Sequence, residues 1–209
     1  MSVTNLCQRL TSFRTTRTVA PVSTTAAIFD LDRTVLKGSS APVIQRHLKE
    51  AGLTSRDFPA EGLFQTTYEL FGESRLVMQA AKTQSGCKPG WGVDEIAVVA
   101  EKIADELMDQ VQSFVAPLIA DHKAAGRRLV LATGSNLATI EAFAKRLGFD
   151  DVIATKWEIA NGVYSGAIDG ERLLGAGKLA AVNAWVEAND VDLAGSYMYS
   201  DSRYDADLL

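Results

Sequence analysis

Two aspartates stand close together directly after the first apolar run of this chain, in the segment AAIFDLDRTVLKG. Asp30 follows the run Ala26 to Phe29, and Asp32 comes two positions later. Like charges at this spacing repel each other, and burial increases the cost of keeping both ionised. The pair therefore predicts either a bound cation or two carboxyl groups that titrate at different pH. Both alternatives indicate a chemically active site.

Other residues of reactive types also lie at the ends of predicted strands or at the start of a predicted helix. These residues are Thr133, Gly134, Ser135, Lys178, Asp201 and Asp205. Ligands of open α/β sheets collect at the carboxyl ends of the strands, so we expect these residues and the aspartate pair to share one site. Each polar side chain could alone be a helix cap, but acids, hydroxyls and a lysine at successive strand ends favour a site.

The elements that must position these residues follow from apolar periodicity. Continuous apolar runs predict buried strands at 26–30, in RRLVLATGSN, in DVIAT and in SYMYSD, and Asn161-Gly162 predicts a hairpin turn. Apolar residues from Ile96 to Leu118 recur every three or four positions, which predicts one long helix with a break at Pro117. Strands that alternate with helices are typical of an α/β fold with a parallel sheet.

The same patterns divide the chain into segments. Residues 1–25 contain arginines and many hydroxyl residues but no acid, which indicates a disordered lead-in or, alternatively, an organelle transit peptide. Residues 26–37 and 125–209 predict the sheet domain, and 38–124 predict a helical insertion between its first two strands. The last strand is followed by few residues, so we expect a further C-terminal strand of the sheet to be missing from this sequence.

The segments FDLDRT, LVLATGS, GAGK and YSDSRYD resemble, in this order, the four motifs of the haloacid dehalogenase-like superfamily. The helical insertion after the first motif resembles the helical cap of subfamily IB, which includes the phosphoserine phosphatases. The resemblance implies a Rossmann-like parallel sheet core with an inserted helical-bundle cap. It also implies a Mg²⁺-dependent phosphatase that hydrolyses a small phosphorylated substrate through an aspartyl-phosphate.

Roles for the acids follow from the resemblance. It implies that Asp30 attacks phosphorus as a nucleophile and that Asp32 protonates the leaving oxygen and later deprotonates the attacking water. Mg²⁺ would be held by Asp30, by the backbone carbonyl of Asp32 and by Asp201, which are the hard oxygen ligands that this ion prefers. Dehalogenases and ion-pumping ATPases of the superfamily lack the second aspartate, so Asp32 favours a phosphatase.

The resemblance assigns the remaining polar residues to the phosphate. Thr133, the backbone N–H of Gly134, and Lys178 would hold the phosphoryl oxygens as charge shifts in the transition state. Asp205 would support the site by orienting Lys178 or a metal-bound water. As an alternative, Asp205 would be an acid in the first turn of a helix.

The substrate is less well defined. Phosphoserine phosphatases carry a glutamate at the place of Ser39, and Ser202 and Tyr204 replace the usual Gly and Asn of the last motif. FDLDRTVLKG, FPAEGL and AGKLAAVNAW also resemble the phosphatase-like domain fused to 1-acylglycerol-3-phosphate acyltransferases. We therefore expect a phosphoserine-like or a glycerophosphate- or lysophospholipid-like substrate, and a possible downstream acyltransferase domain. The alternative function is a catalytically weak domain that binds a phosphorylated ligand or regulates such a fusion protein.

The composition narrows the remaining function classes. The chain has 21 Lys and Arg against 26 Asp and Glu, a net charge of -5. This balance disfavours nucleic-acid binding, because such binding depends on basic residues that neutralise phosphates. No apolar run approaches the roughly 20 residues that span a bilayer. Cys7 and Cys87 have neither metal nor disulfide spacing, which indicates free thiols in a reducing compartment. We expect a cytoplasmic protein that does not bind nucleic acid and that has no membrane span in this chain.

Overall fold

A computed structural model describes residues 24–53 and 87–202 of the chain. In these residues a sheet is built from β1 (Ala26–Phe29), β2 (Arg128–Asn136), β3 (Asp151–Ala160), β4 (Val163–Asp169) and β5 (Tyr197–Tyr199). The main helices are α1 (Ala41–Glu50), α2 (Val93–Asp109), α3 (Val115–Ala124), α4 (Leu137–Leu147) and α5 (Ala176–Ala188). From β2 onwards strands therefore alternate with helices, except that β3 is followed directly by β4.

The five strands lie in the order β4-β3-β2-β1-β5. The pairs β1–β2, β1–β5 and β2–β3 are parallel, and only β3–β4 is antiparallel. Residue Phe29 at the end of β1 is level with Leu131 on one side and with Tyr199 on the other. The α/β fold with a Rossmann-like parallel core is confirmed. Because β1 lies between two parallel neighbours, its carboxyl end lies in the middle of one edge of the sheet.

The hairpin predicted at Asn161-Gly162 is also confirmed, with Asn161 and Gly162 both at positive φ. Its first strand is longer than predicted, because DVIAT and the following residues form the single strand β3. The first half of β3 pairs with β2 and the second half pairs with β4 beyond the end of β2.

The core lies on both faces of the sheet, because successive strand residues point to opposite faces. On one face Phe29, Leu131 and Phe143 belong to a large apolar cluster that also includes α2 and α3. On the other face Ile28 and Val182 belong to a smaller cluster that includes α5. Each large side chain buried in this way contributes about 1.5–3 kcal/mol relative to an exposed one.

The long helix predicted from Ile96 to Leu118 is wrong in one respect, because two helices occupy this region. The chain leaves helical geometry between the end of α2 and the start of α3, and Pro117 lies inside the first turn of α3. A proline is tolerated there because the N–H groups of the first turn have no partner within the helix. The apolar stripe continues across the break because both helices pack on the same cluster.

The start of the predicted insertion lies beside the end of α2. Leu36 pairs with Val111 in an antiparallel bridge, and the Lys37 N–H donates to the carbonyl oxygen of Gln110 at 2.9 Å. α2 packs along α4, and α3 packs against β2. Of these two helices, which the sequence places in the cap, α3 lies against the sheet and α2 lies against helix α4 of the sheet domain. The cap limits 38 and 124 stay predictions.

Several expectations concern residues outside the described part. The residues outside it are 1–23 of the lead-in, 54–86 of the predicted cap, and 203–209, which include Asp205. Within the described ranges, no helix combines the length and apolar character needed to cross a membrane. The cytoplasmic location and the acyltransferase partner stay predictions.

Candidate active site

Asp30 and Lys178 form a close pair at the carboxyl end of β1. The backbone N–H of Asp30 donates to the Tyr199 carbonyl oxygen at 2.9 Å, which continues the pairing of β1 with β5. Lys178 Nζ lies 2.6 Å from Asp30 Oδ1, and the two side chains are only 7% and 13% exposed. A lysine is seldom buried unless it is paired. The ammonium group therefore stabilises an ionised Asp30 in a site from which most water is excluded.

Asp32 lies in a wide turn, Leu31–Val35, that follows β1 directly. The turn is closed by the Leu36 N–H, which donates to the Leu31 carbonyl oxygen at 2.9 Å, and Arg33 has a left-handed φ of 59°. Asp32 Oδ1 accepts the backbone N–H of Ser40 at 2.8 Å. Desolvation by the surrounding protein raises the pKa of the Asp32 carboxyl, although hydrogen bonds from Ser40 oppose this effect in part.

Asp201 is bound to the turn after β1 by two contacts. Its backbone N–H donates to Thr34 Oγ1 at 3.0 Å, and Arg33 Nε lies 2.8 Å from Asp201 Oδ2. These contacts hold the end of β5 against the first aspartate motif. Sequence reasoning assigned no role to Arg33 or to Thr34, although both lie within the first motif.

Thr133 ends the buried part of β2, and its side chain is 2% exposed. Its Oγ1 accepts the backbone N–H of Ser135 at 3.1 Å, where the regular pairing of β2 with β3 is interrupted. Asn136 then caps α4, because its side-chain oxygen accepts the Ala138 N–H at 2.9 Å. The irregular last residues of β2, 134–136, which we call the loop after β2, are thus held by the side chains of Thr133 and Asn136.

Gly134 lies where the loop before α5 passes closest to β2. A Cβ at this position would lie 2.6 Å from Leu174 Cδ2 and 3.1 Å from the Leu173 carbonyl oxygen, so only glycine fits without a shift. Thr155 Oγ1 donates to the Gly134 carbonyl oxygen at 3.0 Å and accepts the Leu173 N–H at 3.1 Å. Thr155 therefore joins the loop after β2 to the loop that leads to Lys178. Its place at the end of DVIAT was the only sequence signal for this role.

The structure brings seven of the eight predicted residues to one edge of the sheet. Asp30 and Asp32 follow β1, Thr133, Gly134 and Ser135 lie at the end of β2, and Asp201 follows β5. Lys178 reaches the same edge from the first turn of α5, and the eighth residue, Asp205, lies outside the described residues.

The donors at this edge fit a hard divalent cation. Asp30 and Asp201 follow neighbouring parallel strands, so their carboxylates lie at the same edge of the sheet, where Lys178 and Arg33 pair with them. In residues 24–53 and 87–202, no three His, Cys, Asp or Glu side chains have the geometry of a metal site. The predicted ligand set does not need three, because Asp32 would offer its backbone carbonyl. Carboxylate and carbonyl oxygens are ligands that Mg²⁺ prefers.

A cavity of about 460 Å³ lies beside the turn, between α1 and α2. Its lining consists of Gly38, Ser39, Pro42, Val43, Arg46, Glu106 and Gln110. Glu106 forms an ion pair with Arg46 and a hydrogen bond with His47, which lies 2.9 Å away. The hydrogen bond from Arg46 lowers the pKa of Glu106, so this wall of the cavity carries both charges at neutral pH.

Comparison with known proteins agrees with this geometry. A probable phosphatase of Mycobacterium tuberculosis is 30% identical over 205 residues, which cover 97% of this chain and 71% of that protein. A phosphoserine phosphatase of the same species is 30% identical over 190 residues, 89% of this chain and 62% of that protein. The solved structure of a phospho-aspartyl intermediate analogue of phosphoserine phosphatase has a TM-score of 0.60 at 18% identity, with 88% of this chain and 81% of that chain covered.

The low identity to the solved structure means that this likeness shows the fold alone. The subfamily and the acyltransferase fusion suggested by the sequence stay predictions. The family of haloacid dehalogenase-like hydrolases matches residues 27–209, which include the strand ends that carry Asp30, Thr133 and Asp201. The chain belongs to the haloacid dehalogenase-like hydrolase family.

Proposed function

We propose that this chain is a Mg²⁺-dependent phosphomonoester hydrolase that acts through an aspartyl-phosphate on Asp30. The observation that carries the proposal is the contact of 2.6 Å between Lys178 Nζ and Asp30 Oδ1 in a nearly buried site. A buried ammonium group keeps the carboxylate ionised and therefore nucleophilic. The same ammonium is close enough to the nucleophile to bind an oxygen of the phosphoryl group that Asp30 attacks.

Mg²⁺ would be held by the carboxylates of Asp30 and Asp201 and by the backbone carbonyl of Asp32. When bound, it supplies positive charge that stabilises the phosphoryl oxygens as the substrate reacts. The donor chemistry at the ends of β1 and β5 supports this assignment. Asp201 is held towards the turn by Thr34 and Arg33, so its carboxylate has a defined position before any ligand binds.

Asp32 suits the role of general acid and base. A group with this role works best when its pKa is near the pH of the reaction, and desolvation raises the pKa of Asp32 towards that range. Asp32 would donate its proton to the leaving oxygen as the aspartyl-phosphate forms. It would then accept a proton from the water that hydrolyses the aspartyl-phosphate.

The phosphoryl oxygens would be held by the loop after β2 together with Lys178. The Thr133 side chain is nearly buried at the strand end, and Gly134 allows the backbone to approach closely. Thr155 links this loop to the one before α5, so the groups that bind the phosphoryl oxygens keep a fixed spacing. Such preorganised donors stabilise the charge that develops in the transition state.

The substrate in this proposal is a small phosphorylated metabolite of phosphoserine-like or glycerophosphate- or lysophospholipid-like type. The relative named as a phosphoserine phosphatase supports the first class. Ser39 weakens the case for phosphoserine itself, since the ammonium-binding glutamate of that resemblance is absent there. The cavity lined by Ser39, Arg46 and Glu106 has room for a small organic group beside the site.

The test is hydrolysis of p-nitrophenyl phosphate and of a panel that contains phosphoserine, glycerol 3-phosphate and a short-chain lysophosphatidate, with Mg²⁺ and with EDTA. We expect Mg²⁺-dependent turnover by the wild type and a loss of at least about 1,000-fold in Asp30→Asn with the fold retained by circular dichroism. Near-wild-type activity of Asp30→Asn would refute the covalent mechanism. Binding of these phosphates without turnover would favour the regulatory alternative.

A further inference from the structure

Ser40 occupies the position before α1 but does not cap that helix with its side chain. It is fully buried, at 0% exposure. Its backbone N–H donates to Asp32 Oδ1 at 2.8 Å. The Ser40 Oγ lies 3.0 Å from Ser135 Oγ, in the loop after β2. A buried serine at a helix start usually caps the helix, so these contacts need another explanation.

We propose that Ser40 and Ser135 form a serine clamp that positions the Asp32 carboxyl for proton transfer to the leaving group. The inference rests on the proposed phosphatase function. The terminal torsion of an aspartate is broad and does not settle into three sharp wells. The hydrogen bond from the Ser40 backbone N–H therefore limits the rotation of the carboxyl group, and the contact between the two serine hydroxyls holds Ser40 in place. Ser40 is a positioning residue in this scheme, since it acts through Asp32 and does not touch the substrate.

Ser135 completes the clamp because a hydroxyl group has one proton and two lone pairs. One of the two serine hydroxyls donates to the other, and this bond holds Ser40 in the position from which its backbone N–H reaches Asp32. The backbone N–H of Ser135 in turn donates to Thr133 Oγ1 at 3.1 Å. The general acid and the loop proposed to hold the phosphoryl group are thus joined by a chain of hydrogen bonds.

The clamp connects parts of the chain that are far apart in sequence. Ser40 and Ser135 are 95 residues apart, and Ser40 begins the helix after the first motif. A shift of α1 would move Ser40 and with it the acid relative to the phosphoryl site. Proton transfer is sensitive to such shifts because donor and acceptor must lie within hydrogen-bond reach. The clamp should matter most when the leaving group needs a proton.

The test compares phenyl phosphate with p-nitrophenyl phosphate, which have similar shapes but differ in the basicity of the leaving oxygen. The value of kcat/KM reports the steps up to formation of the aspartyl-phosphate, in which Asp32 acts as the acid. We expect Ser40→Ala to lower kcat/KM about 10-fold for phenyl phosphate and less than about 3-fold for p-nitrophenyl phosphate. Ser135→Ala should show the same selectivity with a loss of about 3-fold.

Ser196→Ala is the matched control. Ser196 Oγ accepts the Ala26 N–H at 2.9 Å and donates to the Asp192 carbonyl oxygen at 2.6 Å, at the opposite end of β1. The Ser196→Ala substitution should lower the melting temperature and leave the ratio of the two kcat/KM values unchanged. Ser40→Thr, which keeps the hydroxyl, should recover the wild-type ratio if the added methyl group is accommodated.

Each outcome decides between the hypotheses. A selective loss for phenyl phosphate in the two serine variants, with an unchanged ratio in Ser196→Ala, supports the clamp. Equal losses on both substrates, or none, overturn it. If Ser40→Ala does not fold, Ser135→Ala decides by the same criterion. If the wild type hydrolyses neither substrate with Mg²⁺, the phosphatase proposal and the clamp both fail, whereas wild-type turnover with a uniform loss in the variants overturns the clamp alone.

Discussion

The contact between Lys178 and Asp30 allows a quantitative test of the site through stability alone. Both side chains are nearly buried and 2.6 Å apart. Replacing Lys178 with methionine retains most of the apolar stem but leaves the carboxylate without its cation. Removal of one partner of a buried ion pair costs about 3–5 kcal/mol, because an uncompensated charge stays in a medium of low polarity. Both groups make further contacts, so we expect about 3 kcal/mol, at the lower end of that range.

The corresponding change in melting temperature follows from the size of the chain. For a chain of this length, 1 kcal/mol shifts the melting temperature by about 2–4 °C, so Lys178→Met should melt about 6–12 °C lower. Urea unfolding and thermal unfolding in EDTA measure the protein free of divalent cations. Lys145→Met is the control, because Lys145 pairs with Glu141 on the surface, where the side chains are 70% and 49% exposed. That variant should lose less than about 0.5 kcal/mol.

A double-mutant cycle provides the refutation. Asp30→Asn removes the buried charge, so the second substitution, Lys178→Met, should cost much less in that background. We expect the loss of unfolding free energy in the double variant to be about 2 kcal/mol smaller than the sum of the two single losses. Additive effects, with a difference below about 0.5 kcal/mol, would show that Lys178 and Asp30 are not coupled. The proposed role of Lys178 in keeping the nucleophile ionised would then be wrong.

Two other predictions concern the loop after β2 and a buried histidine. Gly134→Ala would place a methyl group 2.6 Å from Leu174 Cδ2, so inhibition by inorganic phosphate should weaken about 10-fold. Adding Leu174→Ala to the same chain should partly restore the inhibition. If Gly134→Ala leaves the inhibition unchanged, the role of Gly134 in phosphate binding is contradicted. His122 is 4% exposed, and desolvation and Arg127 lower its pKa below the ordinary 6.5. The unfolded chain then takes up the proton first as pH falls, so the unfolding free energy should decrease below about pH 6.5, by at most about 1.4 kcal/mol per pH unit, and level off below the folded-state pKa. Urea unfolding at several pH values should show this decrease in the unfolding free energy in the wild type and not in His122→Gln. If the unfolding free energies of the two proteins change with pH in parallel, the prediction is contradicted.

The residues at strand ends could be predicted from the sequence because their signals are local. The apolar run before Asp30 is typical of a strand that is buried on both faces in a parallel sheet. Asn161-Gly162 defines a hairpin because both residues accept a positive φ. The same reasoning failed between α2 and α3, where an apolar stripe continues through a break in the backbone. Periodicity reports which side chains are buried and does not report whether the helix between them is continuous.

The contacts that complete the site could not be predicted in this way. Arg33 reaches Asp201, and Ser40 reaches Ser135, across long separations in sequence. Both contacts depend on the wide turn after β1, whose left-handed residue is an arginine and carries no glycine signal. Thr155 acquires its bridging role only because the loop before α5 passes over the end of β2.

The sequence by itself determined which residue types follow each strand and that the strands form a parallel sheet, because apolar runs and turn residues act over a few positions. Only the tertiary structure decided which strand ends are neighbours. The order β4-β3-β2-β1-β5 puts Asp30 between the ends of β2 and β5, and α5 brings Lys178 to the same carboxylate. The physical reason is that a hydrogen bond or an ion pair forms over about 3 Å, a distance that packing of the whole sheet sets and that no local pattern encodes.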